Sequence, residues 1–206
     1  MNLPKKDKNG VGRLSYSQIS LFKRDKKEYY DTYIVGKPFE GNAYTDFGSK
    51  VGEALEHNDF NSFNKDEQKT LKKVKRLDEF ERMVKLNYDG FYLVGFIDTN
   101  SSDFTKIIDY KTGGAKKEFQ YAEPDYTQLC LYALSLRQET GITPSLASVE
   151  FIRRKGNAFK GQALTVGDEV ISIPVDISLE RLKSVYWDTL NVAKEIEQFY
   201  EENMLN

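Results

Sequence analysis

A single cysteine, Cys130, stands in a chain of 206 residues. One thiol excludes an internal disulfide, a zinc–thiolate site and a cysteine-ligated iron–sulfur cluster built from this chain alone. Long apolar runs are missing as well. Nothing approaches the roughly 18 to 20 consecutive apolar residues that a membrane-spanning helix requires, and the Lys-rich start lacks the apolar segment of a signal peptide. A cytoplasmic protein is therefore expected, with no membrane contact. Charge of one dominant sign is also lacking, since 30 Lys and Arg against 32 Asp and Glu leave a formal net charge of -2. Taken alone, that balance argues against a nucleic-acid partner; yet net charge governs solubility and steering and does not say where the charges sit. Apolar residues make up 39% of the chain, and 13 Tyr with 13 Phe are plentiful. A domain of this size typically buries about 70% of its unfolded surface, so a core without staples is feasible and disorder is excluded for most of the chain.

Residues 1–14 are polar and basic and are expected to form a flexible basic arm, with 15–206 a single domain. Ser15 and Gln18 have capping-box spacing, and Ile19, Phe22, Tyr29, Tyr30, Tyr33 and Ile34 recur near the helical period, leaving a basic face of Lys23, Arg24, Lys26 and Lys27. A second helix is expected over Asp46 to His57, although Gly48 and Gly52 each disfavour helix by about 1 kcal/mol, which suggests close packing or a ligand. A third is expected from Asn64 to about Met83. The period then changes to that of a hairpin, Val84 to Asn87 and Phe91 to Asp98 around an Asp89-Gly90 turn, followed by a strand over Phe104 to Tyr110. Pro124 suits the first turn of a helix carrying Leu129, Tyr132 and Leu136. Ser148 to Arg154 reads as a strand, Gly167-Asp168 as a turn between two short ones, and Ser178 as the cap of a long final helix. This order gives a mixed α/β (α+β) fold.

Two acids are placed at strand ends. Asp98 closes the apolar run from Leu93, Asp109 closes the next strand, and Lys111, two residues on, points to the same side as Asp109 in an extended chain. If Asp98 and Asp109 lie on neighbouring strands, their carboxylates can share a hard divalent cation such as Mg²⁺, and a lysine beside it can act on a water or a phosphate.

The runs Gly95-Phe-Ile-Asp98, Ile107-Ile-Asp-Tyr-Lys-Thr-Gly113 and Gln128-Leu-Cys-Leu-Tyr132, preceded by Leu14-Ser-Tyr-Ser-Gln-Ile-Ser and Gly48-Ser-Lys-Val-Gly-Glu-Ala-Leu-Glu56, resemble the PD-(D/E)XK nuclease superfamily in its RecB-like exonuclease branch. The motifs cover roughly residues 14–137 in the expected order. The resemblance implies a restriction-endonuclease-like core with a central mixed sheet flanked by helices. It implies a Mg²⁺-dependent deoxyribonuclease, with Mn²⁺ as substitute, working in DNA recombination, repair or phage-type processing. Asp98, Asp109 and Glu56 become metal ligands, with the Tyr110 carbonyl a further one, and Lys111 the catalytic lysine. Gln128 and Tyr132 become DNA contacts, while Arg153 and Arg154 flank a hairpin-like segment that can track phosphate. A helicase or single-strand annealing protein is the implied partner, because no Gly-x-x-x-x-Gly-Lys-[Ser/Thr] motor motif is present. Processive relatives are commonly homo-oligomers.

Two departures from the family pattern matter. Gly52 stands where the family usually has a metal-binding His, four residues before Glu56. Glu56 alone, Glu53 turned inward, or His57 can repair the gap. Glu56 is favoured, since five helical positions past Gly52 turn His57 about 140° away. Arg24-Asp25 stands where cluster-bearing relatives have Cys-Pro, which agrees with the absence of an iron–sulfur cluster. The alternative from a different class is a nuclease-fold protein that no longer cuts and serves as a nucleic-acid-binding or assembly subunit.

Overall fold

The computed structural model describes residues 1–38 and 40–204. A six-stranded sheet runs through the molecule: β1 (Gly12–Leu14), β2 (Glu79–Tyr88), β3 (Phe91–Asn100), β4 (Lys106–Gly113), β5 (Leu146–Lys155) and β6 (Thr165–Pro174), in the order β1-β3-β4-β5-β6 with β2 paired to β3. Helices α1 (Tyr16–Arg24), α2 (Lys26–Tyr29), α3 (Ala43–His57), α4 (Lys65–Leu71), α5 (Gln128–Thr140) and α6 (Leu179–Met204) surround it. One apolar core joins α1, α5 and α6 to the sheet through residues such as Phe22, Leu93, Ile107, Leu129 and Ile196. A second joins α3 and α4 through Phe47, Val51, Leu55, Leu71, Ile152 and Val166. Helices therefore cover both faces. Among the described residues no helix is long and apolar enough to cross a membrane.

Local chemistry explains most boundaries. Ser15 caps α1 by accepting the Gln18 N–H, and Asn42 and Asn64 form full capping boxes with Thr45 and Glu67. Gly90 has φ +83, as the tight turn between β2 and β3 requires. The expected helices differ in extent. The first breaks at Asp25, whose backbone is extended and whose carboxylate accepts the Glu28 N–H, so this short polar side chain starts a new helix, α2, which runs into a π-helical turn over Tyr30–Ile34. The third stops at Leu71, because residues from Glu79 onward pair with the end of β3 and tertiary pairing overrides their helical propensity. Pro124 lies outside α5, and the two short strands around Gly167-Asp168 are one strand, β6, with an irregular register opposite Ile152 to Arg154. Residues 1–14 are not a loose arm: Leu3 and Leu14 are fully buried, and β1 runs parallel to the start of β3.

The sheet has one seam. Strand β2 occupies one edge of β3 along its length. On the other edge, β1 pairs with Phe91–Leu93 and β4 pairs only with Thr99 and Asn100. Residues 94–98 are left without a strand partner on that side. By contrast, β4 pairs with β5 through all eight of its residues, from Lys106 to Gly113.

Candidate functional site

The seam opens into a cleft of about 540 Å³ lined by Asp98, Tyr110 and Lys111 from the sheet, Gly48, Gly52, Glu53 and Glu56 from α3, and Phe80 and Glu81 from β2. Where β3 and β4 part, the Asp98 carboxylate takes over from the ladder and accepts the Tyr110 N–H at 2.6 Å. Asp109 is completely buried. Its Oδ2 is 2.6 Å from the Lys111 ammonium and accepts the Tyr126 hydroxyl at 3.0 Å. Its Oδ1 is buried with no hydrogen-bond partner among the described residues, an uncommon condition for a carboxylate oxygen.

The charges perturb one another. Burial and the neighbouring Asp109 push the Asp98 carboxyl up to about 7, against the pull of Lys111 and of the Tyr110 N–H. Burial works to lower Lys111, but Asp109 and Asp98 outweigh it and hold the ammonium above its usual range. Burial and Asp109 likewise raise the Tyr126 and Tyr132 hydroxyls, the latter to about 12. For Asp98 the linkage has a definite sign. At pH values between the ordinary 3.8 and about 7, the folded chain holds a proton that the unfolded chain has released, so this stabilisation is present at low pH and lost as pH rises through about 7. In chelator, melting temperature should fall as pH rises from 3.8 to about 7 and level off above it, and Asp98→Asn should flatten that fall. An unchanged slope in the variant would assign the dependence elsewhere.

The structure brings together Asp98, Tyr110, Lys111 and Glu56 around one cleft, with Asp109 buried behind Lys111. Glu53 also lines it, while His57 is exposed at the C-terminal end of α3 and does not. The orphaned Oδ1 of Asp109 and an all-oxygen donor set fit a hard divalent cation. Among the described residues, no three His, Cys, Asp or Glu side chains stand close enough together to hold a metal ion as they are placed.

Other expected positions need correction. Tyr132 is 4% exposed, packs under Gly95 and accepts the Gln128 amide at 2.9 Å, so it positions Gln128 and is not itself a surface for DNA. Arg153 is held by Glu118 at 2.7 Å and Glu169 at 2.9 Å, which neutralises it as a phosphate contact. Arg154 stacks on Tyr44 at 4.2 Å. In the basic opening helices, Lys23 and Lys26 pair with Asp188 and Glu195 of α6, and Arg24 with Glu28.

Two residues escaped the sequence reading. Tyr126 holds Asp109 and contacts Tyr16 edge to face at 6.0 Å, which gives the opening motif its connection to the cleft. No periodicity marks it, since it precedes α5 in a turn. Glu81 was hidden by the expected helix through Met83. The two-residue turn at Asp89-Gly90 was the available signal, because it numbers every cross-strand pair of the hairpin.

A family model of the PD-(D/E)XK nuclease superfamily matches residues 60–198, more than half of the chain. No protein of curated function matches the sequence. Among solved structures, a putative exonuclease from Eubacterium rectale superposes with a TM-score of 0.63 at 11% identity, over 92% of this chain and 82% of that one. A phage-related exonuclease from Haemophilus somnus 129PT gives a TM-score of 0.38 at 14% identity, over 91% of this chain and 80% of that one.

Proposed function

The chain belongs to the PD-(D/E)XK nuclease superfamily, with the restriction-endonuclease-like core of a nuclease, and from that premise we propose that its cleft hydrolyses DNA phosphodiester bonds with the help of a divalent cation, as a RecB-like exonuclease. The observation that carries this reading is the buried Asp109, its Oδ1 unpartnered among the described residues and its Oδ2 bridged at 2.6 Å to Lys111, which lines the cleft together with Asp98. Asp98, Asp109 and Glu56 would hold the cation, Mg²⁺ or Mn²⁺, with the Tyr110 carbonyl as a further donor. When bound, such an ion supplies Lewis-acid stabilisation of a phosphate and makes a water acidic enough to attack at neutral pH.

The chain's own residues do the rest. Lys111 keeps its proton beside two carboxylates, so it acts as a fixed positive charge aimed at the phosphate rather than as a base. Asp98 ties the backbone of Tyr110 to β3, which sets the position of Lys111 one residue on. Tyr126 fixes the Asp109 carboxylate, and Tyr132 fixes the Gln128 amide at the margin, where it can hold a strand end. A role in recombination, repair or phage-type processing, a helicase or annealing partner, and a homo-oligomeric ring accord with this reading.

Purified protein with single-stranded, blunt and circular DNA, in Mg²⁺, Mn²⁺ or chelator, tests it. Mononucleotide release from linear but not circular DNA is expected, lost in chelator. DNA binding with no cleavage in either metal above that of Asp109→Asn would overturn the catalytic reading. It would favour instead a nuclease fold kept for binding or assembly, a reading that Gly52 in the cleft wall supports.

A further inference from the structure

The hairpin β2–β3 brings two acids face to face. Tyr88 is opposite Phe91, Arg82 opposite Ile97 and Phe80 opposite Thr99, so a regular register would set Glu81 across from Asp98, and these two are the pair that the ladder skips. Direct cross-strand neighbours hold their Cβ atoms roughly 4.5–5.5 Å apart, a spacing at which like charges repel. The ladder gives way at this pair: Glu81 drops out of the bonded register and adopts φ +49, a left-handed conformation disfavoured for any residue with a Cβ. Its side chain is exposed to the cleft that Asp98 and Glu56 also line, and desolvation and the nearby Glu56 raise its carboxyl above the usual range. Across the cleft, a Cβ added to Gly52 of α3 would meet nothing within 4 Å. At that position there is open space and no side-chain donor, although Glu53 and Glu56 of the same helix line the cleft.

Two acids beside a strained backbone are relieved by a proton, as on Asp98 at low pH, or by a cation between them once both ionise. Lys111 bonds Asp109 and makes no ion pair with Glu81. Asp109, completely buried, separately leaves its Oδ1 without a partner. We propose that Glu81 supplies the metal donor that Gly52 cannot, so that the hairpin pair Glu81 and Asp98 holds a hard divalent cation in place of a helix-borne imidazole. This rests on the metal-dependent reading of the same cleft. It makes the donor set all oxygen, which favours Mg²⁺ and Mn²⁺ over imidazole-seeking ions.

Calorimetric titration of the full chain with Mn²⁺ tests it without reference to activity. Glu81→Gln should weaken Mn²⁺ binding at least tenfold while the metal-free melting temperature stays level or rises, because the like-charge contact is gone. Glu81→Gly, which suits the left-handed backbone, should weaken binding equally. Gly52→His added to Glu81→Gln should recover most of the lost affinity. Wild-type affinity in both Glu81 variants, with binding lost in Asp109→Asn, would overturn the proposal and leave the nuclease reading intact. So would weakened binding accompanied by a clear fall in the metal-free melting temperature of both variants, since Glu81 would then act only through the fold. No binding by the wild-type chain would instead remove the metal-dependent reading itself.

Discussion

Replacing Lys111 with alanine should cut DNA cleavage about a hundred- to a thousand-fold, the usual loss when one preorganised charge is removed from a developing oxyanion. The same change should destabilise the metal-free fold. Asp109 is completely buried, and without Lys111 its only remaining side-chain partner among the described residues is the Tyr126 hydroxyl. Breaking a buried ion pair from one side costs about 3–5 kcal/mol. Lys111 is 27% exposed, and water reaching the gap puts the expected loss at about 3 kcal/mol. For a domain of this length that corresponds to roughly 6–12 °C in melting temperature. Adding Mg²⁺ should return part of it, because a cation replaces the charge that was lost. Thermal melts in chelator and in Mg²⁺, alongside nuclease assays, separate the two effects. Cleavage at the wild-type rate would remove Lys111 from the chemistry.

Gly95→Ala should be a damaging single-carbon change in the sheet. A Cβ at this position would overlap the Tyr132 ring, and the strands and α5 leave the ring no room to retreat. Overpacking of this kind costs about 1–3 kcal/mol, and the displaced ring loses its hydrogen bond with Gln128. Melting temperature should fall by several degrees and the Michaelis constant for DNA ends should rise. The double variant Gly95→Ala, Tyr132→Leu should be more stable than the two single losses predict, because the second change makes the space the first one needs. Simple additivity would show that Gly95 is required for another reason.

Sequence patterning reached the fold where local chemistry is decisive. The caps at Ser15, Asn64 and Ser178 and the turn at Asp89-Gly90 all sit at element boundaries. The period of two that places Asp109 and Lys111 on one side is present in β4, and the two side chains meet. What was not legible depends on partners distant in the chain. Residues Glu79 to Met83 carry charge at a helix-compatible spacing and become strand only because β3 offers a ladder. Residues 1–14 look like a solvated arm because their composition is basic, yet Leu3 and Leu14 find a core that the rest of the chain provides. Arg153 and the opening-helix lysines read as free cations for the same reason: their carboxylate partners come from elements far along the sequence.

The seam between β3 and β4 also decides how stiff the site is. Only Thr99 and Asn100 tie the two strands by backbone pairing, and beyond them the connection passes to one side-chain acceptor, Asp98, on one amide, Tyr110. Asp109 meanwhile moves with the fully laddered unit of β4 and β5. The two acids are therefore supported unequally: Asp109 stands on a strand laddered to its neighbour at every residue, while Asp98 stands where β3 has lost its partner on that edge and is itself the bond that bridges the gap.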